Sequence, residues 1–397
     1  MRDRVHDIVT GYESELIALR RDLHEAPEVA FGEYLTTQKI AHRLESAGIT
    51  VRLLEGTGLT CDIGENPTVG LRADIDALPI PETTGLPYAS TVPGASHACG
   101  HDLHAAIAMG AALTLQRLHE EGLYGGGTRV IFQPAEEAQP GGALSLLPQG
   151  VLDGLEEVYA VHCEPKEDVG VIGSRTGAIT ASSDAIRVKI RSGGGHTSRP
   201  HVTGDVVNAL GMVITQTGLI LGRRVDLRYG INLTWGMVRA GSAANVIPSE
   251  GILRGTLRCA DVRGWDEAGE MITGIIEQIL APLGVEAEVK RNRGLPPAVN
   301  APGTTARIEA AARQVLGASN VVHTEQSMGG EDFAWFQQRV PGTLIRLGTR
   351  TPGGRTYDLH QGDARFDERA IAIGAQVLTL TALAAERVKP QAALEVR

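Results

Sequence analysis

The chain has 397 residues and a formal net charge of −10, from 37 lysines and arginines against 47 aspartates and glutamates. This acidic balance, with no run of basic residues, excludes a protein that binds nucleic acid through an extended basic surface. At about 100–200 residues per domain, the length predicts two domains, or three at most.

The four cysteines are widely spaced and include no CxxC pair, which favours reduced thiols over a disulfide framework. The amino-terminal segment is charged and amphipathic, unlike a secretory signal peptide. No apolar run approaches the ~18–20 residues that a membrane span needs. We therefore expect a cytoplasmic protein without a membrane partner.

Taken in chain order, the first elements are two helices within residues 5–44, separated at Pro27. A largely buried helix follows over 102–120, with Asp102 as its predicted N-cap. Short apolar runs, separated by helical patterns, predict strands at 68–72, 128–132, 157–161 and 343–347. This alternation predicts an α/β domain, with a mixed, mostly parallel sheet flanked by helices.

The middle of the chain has a different order of elements. Strands are predicted at 185–190, 230–238, 251–258 and 285–290, and helices at 205–221 and 265–280. The order β-α-β-β-α-β is that of a ferredoxin-like α+β unit. We therefore predict that residues 184–291 form a separate domain, inserted into a discontinuous domain of residues 1–183 and 292–397.

Most side chains that can bind a metal come directly after the predicted strands of the larger domain. Ligands of open α/β sheets bind outside the carboxyl ends of the strands, so these side chains are expected on one rim of the sheet. They are Asp74 and Asp76, Glu136 and Glu137, His162, and His360, which lies in a loop after a predicted strand. Cys99 and His101 lie instead in a loop just before a helix.

Five of these residues form a plausible ligand set: Cys99, His101, Glu137, His162 and His360. Thiolate, imidazole and carboxylate together suit zinc, manganese, cobalt or nickel. Five ligands exceed what one tetrahedral site with an open position needs, and they suffice for two metals that share one ligand. Glu136, next to Glu137, is then the candidate general base for water.

Each residue alone has a simpler explanation. Glu136 and Glu137 could be a solvated surface pair, and His162 could be a buried core histidine. A lone Cys-x-His, as at Cys99 and His101, is usually not a metal site. Their coincidence on one rim favours the metal site.

Ten motifs, in order along nearly the whole chain, resemble a known superfamily. They are RRDLHEAPE (20–28), LRADIDALPI (71–80), HACGHDLH (97–104), QPAEE (133–137), VHCEP (161–165), GGGHTSRPH (193–201), NVIPSEG (245–251), GTLR (255–258), GGEDFAWF (329–336) and DLH (358–360). The chain resembles the aminoacylase, hippurate hydrolase and carboxypeptidase-G superfamily of metal-dependent amidohydrolases. The branch with hippurate hydrolases, indole-acetyl-amino-acid hydrolases and N-acetyl-diaminopimelate deacetylases is the most similar.

The resemblance implies a role for each proposed ligand. Cys99 would bridge two metals, His101 and His162 would complete one site, and Glu137 and His360 would complete the other.

The resemblance also implies roles for the acidic residues beside these ligands. Glu136 would deprotonate the attacking water and later protonate the leaving amine. Asp74 would orient a metal-bound group, with Asp76 as the weaker candidate for that role.

The inserted domain would serve as a lid and as a dimerisation surface, which implies a homo-oligomer. His196 would stabilise the tetrahedral oxyanion. Asn245 and Arg258 would hold the carboxylate of the substrate, for which the guanidinium fork is well suited. Gly362 and Gly330 depart from the usual residues of the family and leave the substrate open.

The expected protein is thus a two-metal hydrolase that cleaves the amide bond of a small N-acyl amino acid. A dipeptidase or carboxypeptidase of the same superfamily is the alternative within enzymes. A non-catalytic metal- or ligand-binding protein on the same scaffold is the alternative from another class, and the presence of Glu136 argues against it.

Overall fold

A computed structural model describes residues 1–386 of the chain. Those residues form two compact units: one of residues 1–179, 299–325 and 332–386, and the other of residues 180–298 and 326–331. We call them the metal-site unit and the inserted unit. The inserted unit extends beyond the predicted 184–291 at both ends, and a short return segment, residues 326–331, also belongs to it.

Nine α-helices are described. They are α1 (Arg2–Glu25), α2 (Tyr34–Ser46), α3 (His101–Glu120), α4 (Gly142–Leu146), α5 (Val206–Arg224), α6 (Val262–Leu280), α7 (Pro302–Leu316), α8 (Ala334–Gln337) and α9 (Arg369–Glu386).

Sixteen strands are described. They are β1 (Val51–Leu53), β2 (Leu59–Ile63), β3 (Val69–Asp74), β4 (Thr128–Gln133), β5 (Glu157–Asp168), β6 (Ile172–Ser174), β7 (Gly177–Ala178), β8 (Ser183–Arg191), β9 (Gly195–His196), β10 (Asn232–Ala240), β11 (Val246–Ile247), β12 (Glu250–Arg258), β13 (Glu286–Leu295), β14 (Val299–Asn300), β15 (Val321–His323) and β16 (Gly342–Arg350).

The metal-site unit is built on an eight-stranded sheet in the order β1-β2-β4-β3-β5-β16-β6-β15. The central pairs β4–β3, β3–β5 and β5–β16 are parallel, and so is the edge pair β6–β15. The pairs β1–β2, β2–β4 and β16–β6 are antiparallel. This is the mixed, mostly parallel sheet expected from the sequence, and the parallel centre brings the carboxyl ends of β3, β4 and β5 to one rim.

Small residues allow the helices of this unit to pack closely against one another. A Cβ on Gly110 of α3 would lie 2.8 Å from Leu16 and 2.9 Å from Ala375. A Cβ on Gly374 of α9 would lie 2.7 Å from Ile107. Helices α1, α3 and α9 therefore meet at distances that larger residues would not permit, and α3 is buried over most of its length.

The inserted unit has a four-stranded antiparallel sheet in the order β10-β12-β8-β13. Helices α5 and α6 contact each other and the strands of this sheet. Each begins at an aspartate that accepts a hydrogen bond from the first turn: Asp205 from the backbone N–H of Asn208, and Asp261 from that of Arg263. This strand order is the ferredoxin-like one.

Two local predictions from the sequence are wrong. Helix α3 begins at His101 after Gly100, so Asp102 lies in the first turn and is not the N-cap. His162 lies inside the long strand β5 and does not follow the strand. In both places, long-range contacts extend the element beyond its local pattern.

Helices α5 and α9 have the length and apolar composition of a membrane span, which the sequence analysis did not anticipate. Helix α9 is mainly a core helix, because 67% of its apolar window is buried inside the fold. In α5, 33% of the apolar window is buried inside the fold.

Candidate metal centre

Cys99 and His101 are presented by a tight turn at the start of α3. Gly100, between them, has a φ of +82°, and a Cβ there would lie 2.7 Å from the sulfur of Cys163. Glycine is therefore required by both the backbone conformation and the close approach. The Cys99 side chain is buried, and this burial raises the pKa of its thiol. A bound cation would displace the thiol proton.

The imidazole of His101 is oriented by the loop after β3. Its Nδ1 lies 2.9 Å from the backbone oxygen of Asp76 and 3.2 Å from Oδ1 of the same residue. Since both atoms are acceptors, Nδ1 carries a proton. Nε2 is buried and makes no hydrogen bond to the residues that the structure describes. Such an orphaned nitrogen is suited to a metal.

The charge around His101 also favours a cation. Burial opposes protonation of this imidazole, but Asp74, Cys99 and Asp76 together outweigh burial and raise the pKa of His101 well above its usual range. A metal at Nε2 would take the place of that proton.

His162 has the same arrangement of its two nitrogens. Its Nδ1 donates to the backbone oxygen of Cys163 at 2.8 Å, so Nε2 is the nitrogen with the free lone pair. That Nε2 lies 3.6 Å from the sulfur of Cys99. Burial, followed by the positive charge of Arg346, lowers the pKa of His162, which keeps the imidazole in its ligating form.

Glu137 and His360 meet on the other side of Cys99. Nε2 of His360 lies 3.1 Å from Oε1 of Glu137. The backbone N–H of His360 donates to the oxygen of Ala98 at 3.0 Å, and that of Glu137 donates to Oδ2 of Asp76 at 3.0 Å. Two loops distant in sequence are thereby fixed beside the cysteine turn.

The five side chains proposed from the sequence thus come together as two groups. Cys99, His101 and His162 have ligand atoms within 4.8 Å of one another, and so do Cys99, Glu137 and His360. Cys99 is common to both groups, as expected for a bridging ligand. The buried free nitrogens of the histidines and this donor set fit two divalent metals that share a thiolate.

The two aspartates after β3 have different contacts. Asp76 touches His101 and the backbone of Glu137, whereas Asp74 lies 3.8 Å from Nε2 of His101. Asp74 also accepts from Arg72 at 2.6 Å and from Nδ1 of His104 at 2.5 Å. Asp76, the weaker candidate in the sequence, makes the closer contacts with the proposed ligands.

His104 is not available as a ligand. Its Nε2 accepts from the backbone N–H of Cys163 at 2.8 Å, and its Nδ1 therefore donates to Asp74. Both nitrogens are used, which makes this histidine a support for the site.

Glu136 is buried in a strained loop after β4. Ala135, directly before it, has a φ of +56°, a conformation that non-glycine residues rarely adopt. The backbone N–H of Ala135 donates to the buried carboxylate of Glu33 at 2.8 Å, and its oxygen accepts from Gly142 N–H at 2.8 Å. The backbone N–H of Asp332 donates to Oε1 of Glu136 at 3.4 Å. These contacts determine where the carboxylate of Glu136 lies.

A buried charged network between α1 and the first turn of α3 was not predicted from the sequence. Arg20 of α1 lies 2.7 Å from Asp102, which also accepts from Nδ1 of His24 at 2.8 Å. Nε2 of His24 lies 3.2 Å from Glu82. The RRDLHE motif was visible in the sequence, but only the fold shows that it holds the first turn of α3.

His196 and Asn245 lie together in the inserted unit. Val246 pairs with His196 across β9 and β11, and the Asn245 oxygen accepts from the Thr197 N–H at 3.2 Å. Arg258 ends β12 and donates to the Met328 oxygen at 2.8 Å. Asn245 comes directly before β11, whereas Arg258 is the last residue of β12.

Comparison with known proteins agrees with this fold. The chain is 45% identical over 94% of its length to a protein of Rhodococcus jostii called putative glutamate–cysteine ligase 2-3, of which it spans only 46%. It is 37% identical to N-acetylcysteine deacetylase of Bacillus subtilis, over 96% of this chain and 99% of that protein.

Among solved structures, the Bacillus subtilis YXEP protein is described as a dinuclear metal-binding peptidase of the M20 family. It superposes with a TM-score of 0.83 and 34% identity, over 96% of this chain and 99% of that one. The model of peptidase family M20/M25/M40 matches residues 70–384. The chain therefore belongs to peptidase family M20/M25/M40, and it is a metal-dependent hydrolase of amide or peptide bonds.

Proposed function

We propose that this protein hydrolyses the amide bond of N-acyl amino acids and releases a carboxylic acid and an amino acid. The observation that carries the proposal is the adjacent pair Glu136 and Glu137. Glu137 belongs to one of the two ligand groups that share Cys99, and Glu136 stands beside it as a buried carboxylate.

The mechanism assigns the proton transfers to Glu136. When two divalent cations are bound, they polarise the amide carbonyl and make water more acidic. Glu136 accepts the proton of the attacking water and then donates it to the nitrogen of the leaving amine. Asp332 positions the carboxylate through its backbone N–H, and Asp76 holds His101 and the backbone of Glu137. Asp74 supplies the negative charge behind His101.

The metal identity belongs to the proposal as well. Zinc, manganese, cobalt and nickel all suit a set of one thiolate, three imidazoles and one carboxylate. We also propose a cytoplasmic location, which is compatible with four buried, unpaired cysteines.

The inserted unit is proposed to act as lid and dimerisation domain. His196 would stabilise the oxyanion, and Asn245 and Arg258 would hold the carboxylate of the substrate. The proposed homo-oligomer follows from the dimerisation role of this unit, and His196 would then act on its own subunit or on a neighbouring one.

A dipeptidase or carboxypeptidase is the second candidate, favoured by the similarity to the dinuclear metal-binding peptidase. The two functions differ in whether the acyl side of the substrate carries a free amine. Rates with N-acetyl, N-benzoyl and longer N-acyl amino acids, compared with the matching dipeptides, distinguish them. The screen is repeated with each of the four metals.

The adjacent glutamates provide a matched pair of variants for the mechanism. Glu136→Ala is expected to lower kcat by at least about 10²-fold and to keep its metal content, because it removes only the proton acceptor. Glu137→Ala is expected to lose metal as well as activity. Metal analysis and the kinetics of both variants are measured together. Substantial turnover by Glu136→Ala would show that another group is the base.

A further inference from the structure

Arg346, in the middle of β16, is a buried arginine with no counter-charge. Its side chain is only 8% exposed. Among residues 1–386, no acceptor lies within hydrogen-bond distance of its guanidinium and no carboxylate lies within 4.0 Å. No nitrogen of Arg346 is among the fully buried side-chain atoms of the described residues that lack a partner, so solvent, and therefore a ligand, can reach the guanidinium.

Other buried arginines of the described chain do have carboxylate partners. Arg20 lies 2.7 Å from Asp102, and Arg72 lies 2.6 Å from Asp74. In the inserted unit, the largely buried Arg291 lies 2.6 Å from Asp184. Arg346 differs from these three arginines, because no carboxylate of the described residues lies within 4.0 Å of it.

Strand register places Arg346 beside a proposed metal ligand. β16 and β5 are parallel neighbours, and Arg346 pairs with His162. Neighbouring strands lie about 4.8 Å apart, and paired residues point to the same face of a sheet. The two side chains therefore stand next to each other.

Alternation along the strands shows which face this is. Ile345 and Leu347, on either side of Arg346, belong to the core that packs against the helices. Val161 and Cys163, on either side of His162, belong to the same core. Arg346 and His162 thus point to the opposite face, and on that face Nε2 of His162 meets Cys99.

We propose that Arg346 binds a carboxylate of the substrate and thereby selects anionic amides. This inference rests on the proposed function. In an N-acyl amino acid, the α-carboxylate lies only a few bonds from the scissile carbonyl, and a carboxylate on the acyl group or the side chain is a comparable distance away. A guanidinium fork beside His162 matches such a group and gains its missing counter-ion when substrate binds.

A purely structural role makes a different prediction. If Arg346 stabilised the fold, its removal would lower the free energy of unfolding. If it positioned His162, its removal would weaken the binding of all substrates equally. If it waits for a carboxylate, its removal leaves stability nearly unchanged, because the described residues make no hydrogen bond or ion pair with the guanidinium that the variant would lose. The effect then falls only on ligands that carry the matching carboxylate.

The test compares Arg346→Met and Arg346→Lys with the parent protein, all metal-loaded. Four probes are compared: one has no carboxylate, and the other three have one carboxylate each, at a different place. They are N-acetyl-leucinamide (none), N-acetyl-leucine (α), N-succinyl-leucinamide (acyl) and N-acetyl-isoglutamine (side chain). Calorimetry gives Kd with Glu136→Ala added to each protein, so that binding is measured without turnover. Values of kcat/KM come from the proteins that keep Glu136.

We expect Arg346→Met to weaken the binding of one of the three anionic probes by about 10- to 100-fold, relative to the binding of the neutral probe. The probe affected identifies the carboxylate, and an effect on N-acetyl-leucine would assign to Arg346 the α-carboxylate that is proposed above for Asn245 and Arg258. Arg346→Lys keeps the charge and loses the fork, so it is expected to show the same selective loss at a smaller size. Arg350→Met is the control, because Arg350 lies on the same strand and pairs with Asp168.

Equal losses for all four probes, or no loss for any of them, would overturn the inference. A lower melting temperature of Arg346→Met would also count against the inference. In that case Arg346→Lys is the deciding variant: a loss of affinity for only one anionic probe supports the inference, and equal losses for all probes overturn it. If the parent protein hydrolyses none of the probes but shows selective binding that depends on Arg346, the proposed function fails and this inference stands.

Discussion

The buried His24 makes a stability contribution that depends on pH. Burial opposes protonation of this imidazole, but Asp102 and Glu82 outweigh burial and raise the pKa of His24 from its ordinary 6.5 to about 9. A raised pKa stabilises the fold fully below pH 6.5, and this contribution disappears as the pH rises through about 9. At about 1.4 kcal/mol per pKa unit, the contribution amounts to about 3 kcal/mol.

The assay is denaturant unfolding of metal-loaded wild type and His24→Asn at pH 6 and at pH 9. Other groups also titrate in this range, so the informative quantity is the difference between the two proteins in their loss of stability. Wild type is expected to lose about 3 kcal/mol more than the variant between these pH values. The charge pairing of His24 with Asp102 and Glu82 would be refuted by equal losses in the two proteins.

Three further substitutions test the packing below the site. Arg72→Met is expected to lower the free energy of unfolding by about 3–5 kcal/mol, because the buried carboxylates of Asp74 and Asp332 lose their counter-charge. Denaturant unfolding at neutral pH measures this loss, and a loss below about 1 kcal/mol would contradict the prediction. Gly142→Ala would place a Cβ 1.9 Å from the backbone oxygen of Pro134, so we expect a lower kcat and a free energy of unfolding lower by about 1–3 kcal/mol. Gly11→Ala is the control, because the space around Gly11 is open, and it is expected to stabilise α1 by up to about 1 kcal/mol. Glu33→Ala removes the acceptor of a buried N–H beside the catalytic loop and is expected to cost about 1–3 kcal/mol and to lower kcat at unchanged metal content; an unchanged kcat would show that the loop does not depend on this contact.

Much of the fold follows from patterns that are local in the sequence. Alternating strands and helices predicted the mostly parallel sheet, and the β-α-β-β-α-β order predicted the ferredoxin-like strand order of the inserted unit. Glu137 and His162 were predicted as ligands because they follow predicted strands, and the carboxyl ends of parallel strands meet at one rim. Cys99 and His360 lie in loops, and the fold brings both of them close to Glu137.

Other features of the site depend on contacts between residues far apart in the chain. No local pattern shows that Nδ1 of His101 faces the backbone oxygen of Asp76, which decides which nitrogen is free for a metal. Nor does one show that Asp332 lies 2.7 Å from Arg72 on β3.

The amino-acid sequence by itself determined the central strands of both sheets, the layer architecture and the chemical identity of the candidate ligands. The tertiary structure decided tautomers, charge partners and strand register, and register alone placed Arg346 beside His162. The physical reason is that periodicity and turn residues act over a few neighbours, whereas a buried charge or lone pair is satisfied by whichever group the packed fold brings to it.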